Sequence, residues 1–161
     1  TQPFWSSTSW YKSFDFTIPQ ETETRVELDE RTTWFYEAVT SSEGMVNPTV
    51  GTGQVYMTTK RDSERRLLRA DRTYRLRVPA NVPVGQFWAL TLYSENTRRP
   101  YDNGGDESRS INLDSRMEDL KQNADGSFDL YIGVAAPEGF ERNHMRTVSY
   151  THLTLPTIYS V

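Results

Sequence analysis

A chain of 161 residues, 35% hydrophobic and 12% aromatic, has the length of one domain and enough large side chains for a single core, which excludes a chain disordered throughout. Its net charge of −4 and pI near 5.2 argue against nucleic acid as a partner, since a surface that tracks phosphates needs a basic excess. The absence of cysteine removes disulfides, thiolate zinc sites and cysteine nucleophiles together, and no apolar run approaches the roughly 18 residues of a membrane-spanning helix.

Residues 1–23 mix aromatics with Ser, Thr and Pro without a sustained period, and read as an irregular lead-in that packs some of its aromatics. In "TRVELDERTTWFYEAV" Thr24 and Glu27 form a capping-box pair, and Leu28, Phe35, Ala38 and Val39 follow at near-helical spacing, which predicts one α-helix. Arg25 with Asp29 and Glu27 with Arg31 are opposite charges at i,i+4, and Gly44 with Pro48 supplies the stop. Beyond Gly51 the period becomes two. "GQVYMTT" groups Val55 with Met57, "TYRLRVP" sets Tyr74, Leu76 and Val78 against Thr73, Arg75 and Arg77, and "SFDLYIGVA" aligns Phe128, Leu130, Ile132 and Val134. "FWALTLY", Phe87 to Tyr93, is apolar on both faces and so belongs in an interior position, whereas "SINLDS" is a shorter strand. The Asp125-Gly126 pair in "NADGS" suits a tight turn before Phe128. One helix followed by short alternating strands predicts a mainly β fold, an antiparallel β-sandwich preceded by one α-helix.

The words "LDERTTWFYEAV", "GTGQVYM", "TYRLRVPANVPVGQFWALTLYSENTR", "NADGSFDLYIG" and "APEGFERN" occur in this order across residues 28–143. Together they resemble a bacterial family of two consecutive domains of unknown function, DUF1254 followed by DUF1214, and the likeness is to the second domain and its approach helix. The resemblance implies a jelly-roll-like β-sandwich, often exported or periplasmic, with no agreed activity and no cofactor. On that alignment residues 1–23 lead in from an absent N-terminal domain, which would be the natural partner, and 24–147 form the domain. After "ERN" the family pattern gives way at His144 and Met145. Residues 148–161, opening with "VSYTHLTLPT", look like the translation of a transposon-type sequencing adapter, and are expected to be a non-native tail. The other reading is an ordinary strand, in which Tyr150, His152 and Thr154 alternate with Thr151, Leu153 and Leu155. A displaced closing strand would leave an open sheet edge and a route to self-association.

Outside the tail His144 is the lone imidazole, so no multi-histidine metal site can be assembled, and without a G-x-S-x-G elbow it reads as a packing or surface residue. "NADGSFD" places Asn123, Asp125, Ser127 and Asp129 at alternate positions, but its glycine comes fourth where a calcium loop wants it sixth, so a turn is expected and no metal. "YDNGGDE" gathers Asp102, Asp106 and Glu107 on a glycine-rich loop, best read as solvated. "KRDSERRLLR", five cations against two acids, is expected to be a solvated hairpin loop, the rival being a site for a phosphate or acidic partner.

Polar residues inside the strand and helix words make the more specific set: Glu30, Tyr36, Gln54, Tyr56, Thr91, Tyr93 and Arg98. They are the ligand-binding candidates, and the competing reading is a hydrogen-bond network that stitches helix to sheet. No catalytic residue can be named. The predicted role is a structural or ligand-binding β domain of a larger two-domain protein. The alternatives are a hydrolase with its site at the boundary to the absent domain, and a carbohydrate-binding module built on exposed Trp and Tyr.

Overall fold

The computed structural model describes residues 6–11, 21–37, 54–97, 99–101, 111–147 and 153–160. Among them one α-helix, α1 (Leu28–Glu37), precedes eight strands: β1 (Gln54–Thr59), β2 (Tyr74–Val78), β3 (Trp88–Thr91), β4 (Tyr93–Ser94), β5 (Asn112–Asp114), β6 (Phe128–Gly133), β7 (His144–Arg146) and β8 (Leu153–Ser160). The chain is mainly β, as its period-two stretches predict.

The strands form two open sheets. One runs β1-β8-β3-β5 with β4 also paired to β8, and the other runs β2-β6-β7. Register follows hydrophobic alternation: Tyr74 lies opposite Ile132 and Leu76 opposite Leu130, so one face of this pair is apolar, while Arg75 and Arg77 lie opposite Tyr131 and Asp129 on the other. In the larger sheet Met57 and Leu90 both align with Thr157, and Leu90 also with Leu113, which defines its apolar face. Leu90, Leu113, Leu130, Ile132 and Met145 are each no more than 1% exposed and belong to one cluster that draws on both sheets. Trp88 joins them edge-on, its ring centroid 5.5 Å from that of Phe128. Fully burying a side chain of this size stabilises by about 1.5–3 kcal/mol, so this shared cluster is where most of the fold's driving force lies.

Buried polar groups tie loops to these strands. The Asn143 side chain, 0% exposed, accepts from the Lys121 amide at 2.8 Å and donates to the carbonyls of Lys121 and Asp129 at 2.8 and 3.0 Å. Its amide thus uses three of its four hydrogen-bonding positions, which makes this residue of "ERN" structural. The Thr147 hydroxyl donates to the Ala70 carbonyl in the same buried setting.

The capping box and the wholly antiparallel sheets need correction. The capping box does not form: α1 starts at Leu28, the Glu27 carboxylate takes Arg25 rather than Arg31, and the Thr22 hydroxyl accepts from the Arg25 amide at 3.2 Å. Leu28 and Phe35 are 70% and 62% exposed and stand outside the core cluster, while Ala38 and Val39 fall outside the described residues. The sheets are not wholly antiparallel, because β6 and β7 run parallel, with Tyr131 opposite His144. β8 lies between β1 and β3, a position where a strand is hydrogen-bonded on both sides.

Candidate functional site

The register of the larger sheet sorts the sequence-derived candidates by face. Tyr56 and Ala89 both align with Ile158, Tyr93 aligns with Thr154, and Thr91 lies opposite Asn112. Because side chains alternate along each strand, Tyr56, Thr91, Tyr93 and Asn112 share the face opposite to Met57 and Leu90, and Gln54 occupies the register position of that face one pleat before Tyr56. Thr91 donates its hydroxyl to the Asn112 amide oxygen at 3.0 Å. Burial, with the neighbouring Tyr93, raises the Tyr56 pKa, so at neutral pH it is a phenol and a hydrogen-bond donor rather than a base. Asp114, on the same face, is buried; the Arg116 guanidinium, bonded to its carboxylate at 3.1 and 3.3 Å, is the main reason its pKa lies below the usual carboxylate range. The face therefore presents hydroxyls, an amide and one neutralised carboxylate.

Glu30 and Tyr36 lie on α1, and their side chains fall outside what the structure describes. Arg98 falls outside the described residues, as do Asp102, Asp106 and Glu107 of "YDNGGDE".

"KRDSERRLLR" is a built turn. The Asp62 carboxylate accepts from the amides of Glu64 and Arg66, both at 2.9 Å, and from the Arg66 guanidinium at 3.0 Å, while Arg65 adopts a φ of 63°. Burial pushes the Asp62 carboxyl up, but the hydrogen bonds from Arg66 outweigh it and hold the pKa below its ordinary value. Arg61 donates to the Arg65 carbonyl at 2.8 Å, and Arg69 takes both oxygens of Asp71 at 3.0 and 2.7 Å. Arg66 thus pairs within the run, while Lys60 and Arg69 pair with Glu95 and Asp71 outside it.

"NADGS" turns as its wording predicts. Gly126 has a φ of 81°, the Asn123 amide donates to the Ser127 carbonyl at 2.8 Å, and the Asp125 carboxylate accepts from the Ser127 hydroxyl at 2.6 Å and from Arg77 at 2.6 Å. The bonds from Ser127, with Arg77 adding to them, lower the Asp125 pKa to about 2. His144 is half-buried with Nε2 2.9 Å from the Gly133 carbonyl oxygen, a packing role on the strand pair β6–β7.

A further cluster escapes the sequence. A cleft of about 500 Å³ opens between the segment 7–10 and the start of β2, with Arg61, Arg66, Arg72 and Arg75 among its lining. Ser9 closes one wall by donating its hydroxyl to the Asp62 carbonyl at 2.9 Å, while its own carbonyl accepts from Thr59 at 3.0 Å. The contacts span about fifty residues of chain and start from an aperiodic segment, so no local pattern announces them; the one available signal is Arg75 at an outward position of "TYRLRVP".

Residues 53–160 match the family described as "Protein of unknown function (DUF1214)". Among solved structures, the VPA0106 protein of Vibrio parahaemolyticus is similar at 17% identity with a TM-score of 0.59, over 88% of this chain and 33% of that one. An uncharacterised protein from Burkholderia cenocepacia shares 14% identity at a TM-score of 0.44, over 91% of this chain and 40% of the other. The chain thus spans about a third of the first and two fifths of the second. No curated protein matches the sequence.

Proposed function

The chain belongs to the DUF1214 family, and on that footing we propose that it is a non-catalytic β domain that contributes a hydrogen-bonding face to a larger protein, as a structural or ligand-binding part of it. The observation that carries the proposal is the register that brings Tyr56, Thr91, Tyr93 and Asn112 onto one face of the larger sheet, away from the core. A protonated Tyr56 phenol, a threonine hydroxyl and an amide recognise polar groups without supplying a nucleophile, and the Asp114 carboxylate beside them is held by Arg116.

Several finer statements belong to the same proposal. The rest of the larger protein carries a DUF1254 domain ahead of this one, and the two sheets follow a jelly-roll order; the length of the Vibrio structure relative to this chain is consistent with the first. Residues 148–161 are a non-native tail whose β8 part fills the slot of the family's closing strand, a reading that rests on their wording, whereas the family match running to residue 160 speaks for a native strand.

The test is association. The N-terminal half from an intact gene is titrated against this domain and against its Tyr56→Phe, Tyr93→Phe variant. Binding weakened at least tenfold supports the proposal, since losing two buried hydrogen bonds is worth about 1–3 kcal/mol. Unchanged binding, or a hydrolytic activity of the joined halves that the variant abolishes, overturns it in favour of an inert face or of a hydrolase.

A further inference from the structure

The arginine-rimmed cleft has none of Tyr56, Thr91, Tyr93 and Asn112 in its lining and is independent of the proposal above. Thr73 through Leu76 all line it, so it runs along the outer edge of β2, the terminal strand of its sheet, rather than over one pleated face. Its apolar part is continuous with the core: Leu68 and Ile132 are 4% and 1% exposed members of the central cluster, and Trp10, Tyr74 and Leu76 pack against that cluster while also lining the cleft. Ser7, Thr8 and Ser63 also line it.

The charge balance around this apolar floor is inverted relative to the protein. Four arginines line the cleft against one aspartate, in a chain whose net charge is −4. The aspartate is Asp62, whose oxygens are engaged by its own turn. Arg61 and Arg66 are likewise bonded within the turn, to the Arg65 carbonyl and to Asp62 and Glu64. Arg72 and Arg75 are different. Both are exposed, and among the described residues neither guanidinium makes a hydrogen bond or an ion pair; Arg69 has taken both oxygens of Asp71, the nearest carboxylate in sequence.

We propose that this cleft binds a small organic anion, with its apolar body against Trp10, Tyr74 and Leu76 and its carboxylate or phosphate group between Arg72 and Arg75. A few hundred cubic ångströms with an apolar floor and a small number of polar anchors is the usual form of a small-molecule site, and a planar guanidinium fork suits either anion. The two unpaired cations supply the charge complementarity, and the indole and phenol rings supply the stacking surface.

Calorimetric titration of the 161-residue chain with phenyl phosphate, phenylacetate, inorganic phosphate and benzyl alcohol tests this. Saturable binding of either organic anion is expected, weaker at higher salt, with inorganic phosphate and benzyl alcohol each at least tenfold weaker because each offers half of the recognition. Preference between phenyl phosphate and phenylacetate identifies the head group. Arg72→Gln with Arg75→Gln should reduce affinity tenfold or more, whereas Arg77→Gln, one pleat further along β2 and engaged with Asp125, should leave it unchanged. No saturable binding of either organic anion, equal binding of benzyl alcohol, or equal losses in the Arg77→Gln protein would overturn the proposal. Circular dichroism of the variants separates a lost site from a lost fold.

Discussion

Gly133 ends β6 against the corner that leads into β2, and a methyl group placed there has nowhere to go. A Cβ on this residue would lie 2.5 Å from Thr73 Oγ1, 2.6 Å from Thr73 Cα and 2.9 Å from the Arg72 carbonyl oxygen. Two of these three are backbone atoms, so no rotamer change relieves the overlap and β6 must part from the 72–73 corner. Overpacking of this kind costs about 1–3 kcal/mol and sometimes more. The same substitution gains ~0.4–1 kcal/mol by restricting the unfolded chain, too little to change the sign. A further loss follows because the Gly133 carbonyl accepts from the Thr147 amide at 2.9 Å and contacts His144, so moving it loosens β7. Gly133→Ala is therefore expected to destabilise by about 2–3 kcal/mol, which for a domain of this size lowers Tm by roughly 4–12 °C. Reversible thermal and urea melts measure it. Thr73→Ala removes only the hydroxyl contact, so the double variant should remain nearly as unstable as Gly133→Ala. An unchanged melt, or full rescue by Thr73→Ala, would refute the backbone-contact argument.

Gly126→Val should cost at least about 1–2 kcal/mol, because the position has a φ of 81° and an added Cβ would also stand 3.0 Å from the Ala80 Cβ; a neutral melt would contradict this. Calcium should leave Tm of the wild type unchanged, since the Asp125 carboxylate is already engaged by Ser127 and Arg77; a saturable upward shift lost in Asp125→Asn would show a metal loop instead. His144 has its pKa lowered from 6.5, chiefly by burial, which disfavours the imidazolium in the folded state. The stability it contributes is thus present above the ordinary imidazole value and is lost as pH falls through the lower folded value; a titration by NMR at or above 6.5 would contradict that sign.

What could be read from sequence was what short-range periodicity encodes. "TYRLRVP" and "SFDLYIGVA" specify their own inner and outer faces, and the register of β2 with β6 keeps Leu76 opposite Leu130 as that alternation requires. Gly126 was legible because an Asp-Gly pair before an alternating run leaves few backbone solutions. The same period two placed Gln54 with Tyr56 and Thr91 with Tyr93, but not the two pairs on one face, which is a matter of how β1, β8 and β3 align. "HMR" is too short to show a period, so its parallel pairing with β6 had no local signature. The basic run points to Lys60–Arg69, whereas the two cleft arginines that make neither an ion pair nor a hydrogen bond among the described residues, Arg72 and Arg75, lie just beyond it. Charge density in a sequence does not tell which charges the fold will neutralise among themselves.

On the function proposed above, the tyrosine face of the larger sheet meets the rest of a longer protein. Hydroxyl-radical footprinting of Tyr56 and Tyr93, in this chain and in the intact protein from a gene carrying both domains, tests it most directly. Protection of both tyrosines in the intact protein, with Tyr131 on the outer face of the smaller sheet equally reactive in the two, is the expected result. Equal reactivity of Tyr56 and Tyr93 in the two proteins would contradict the claim.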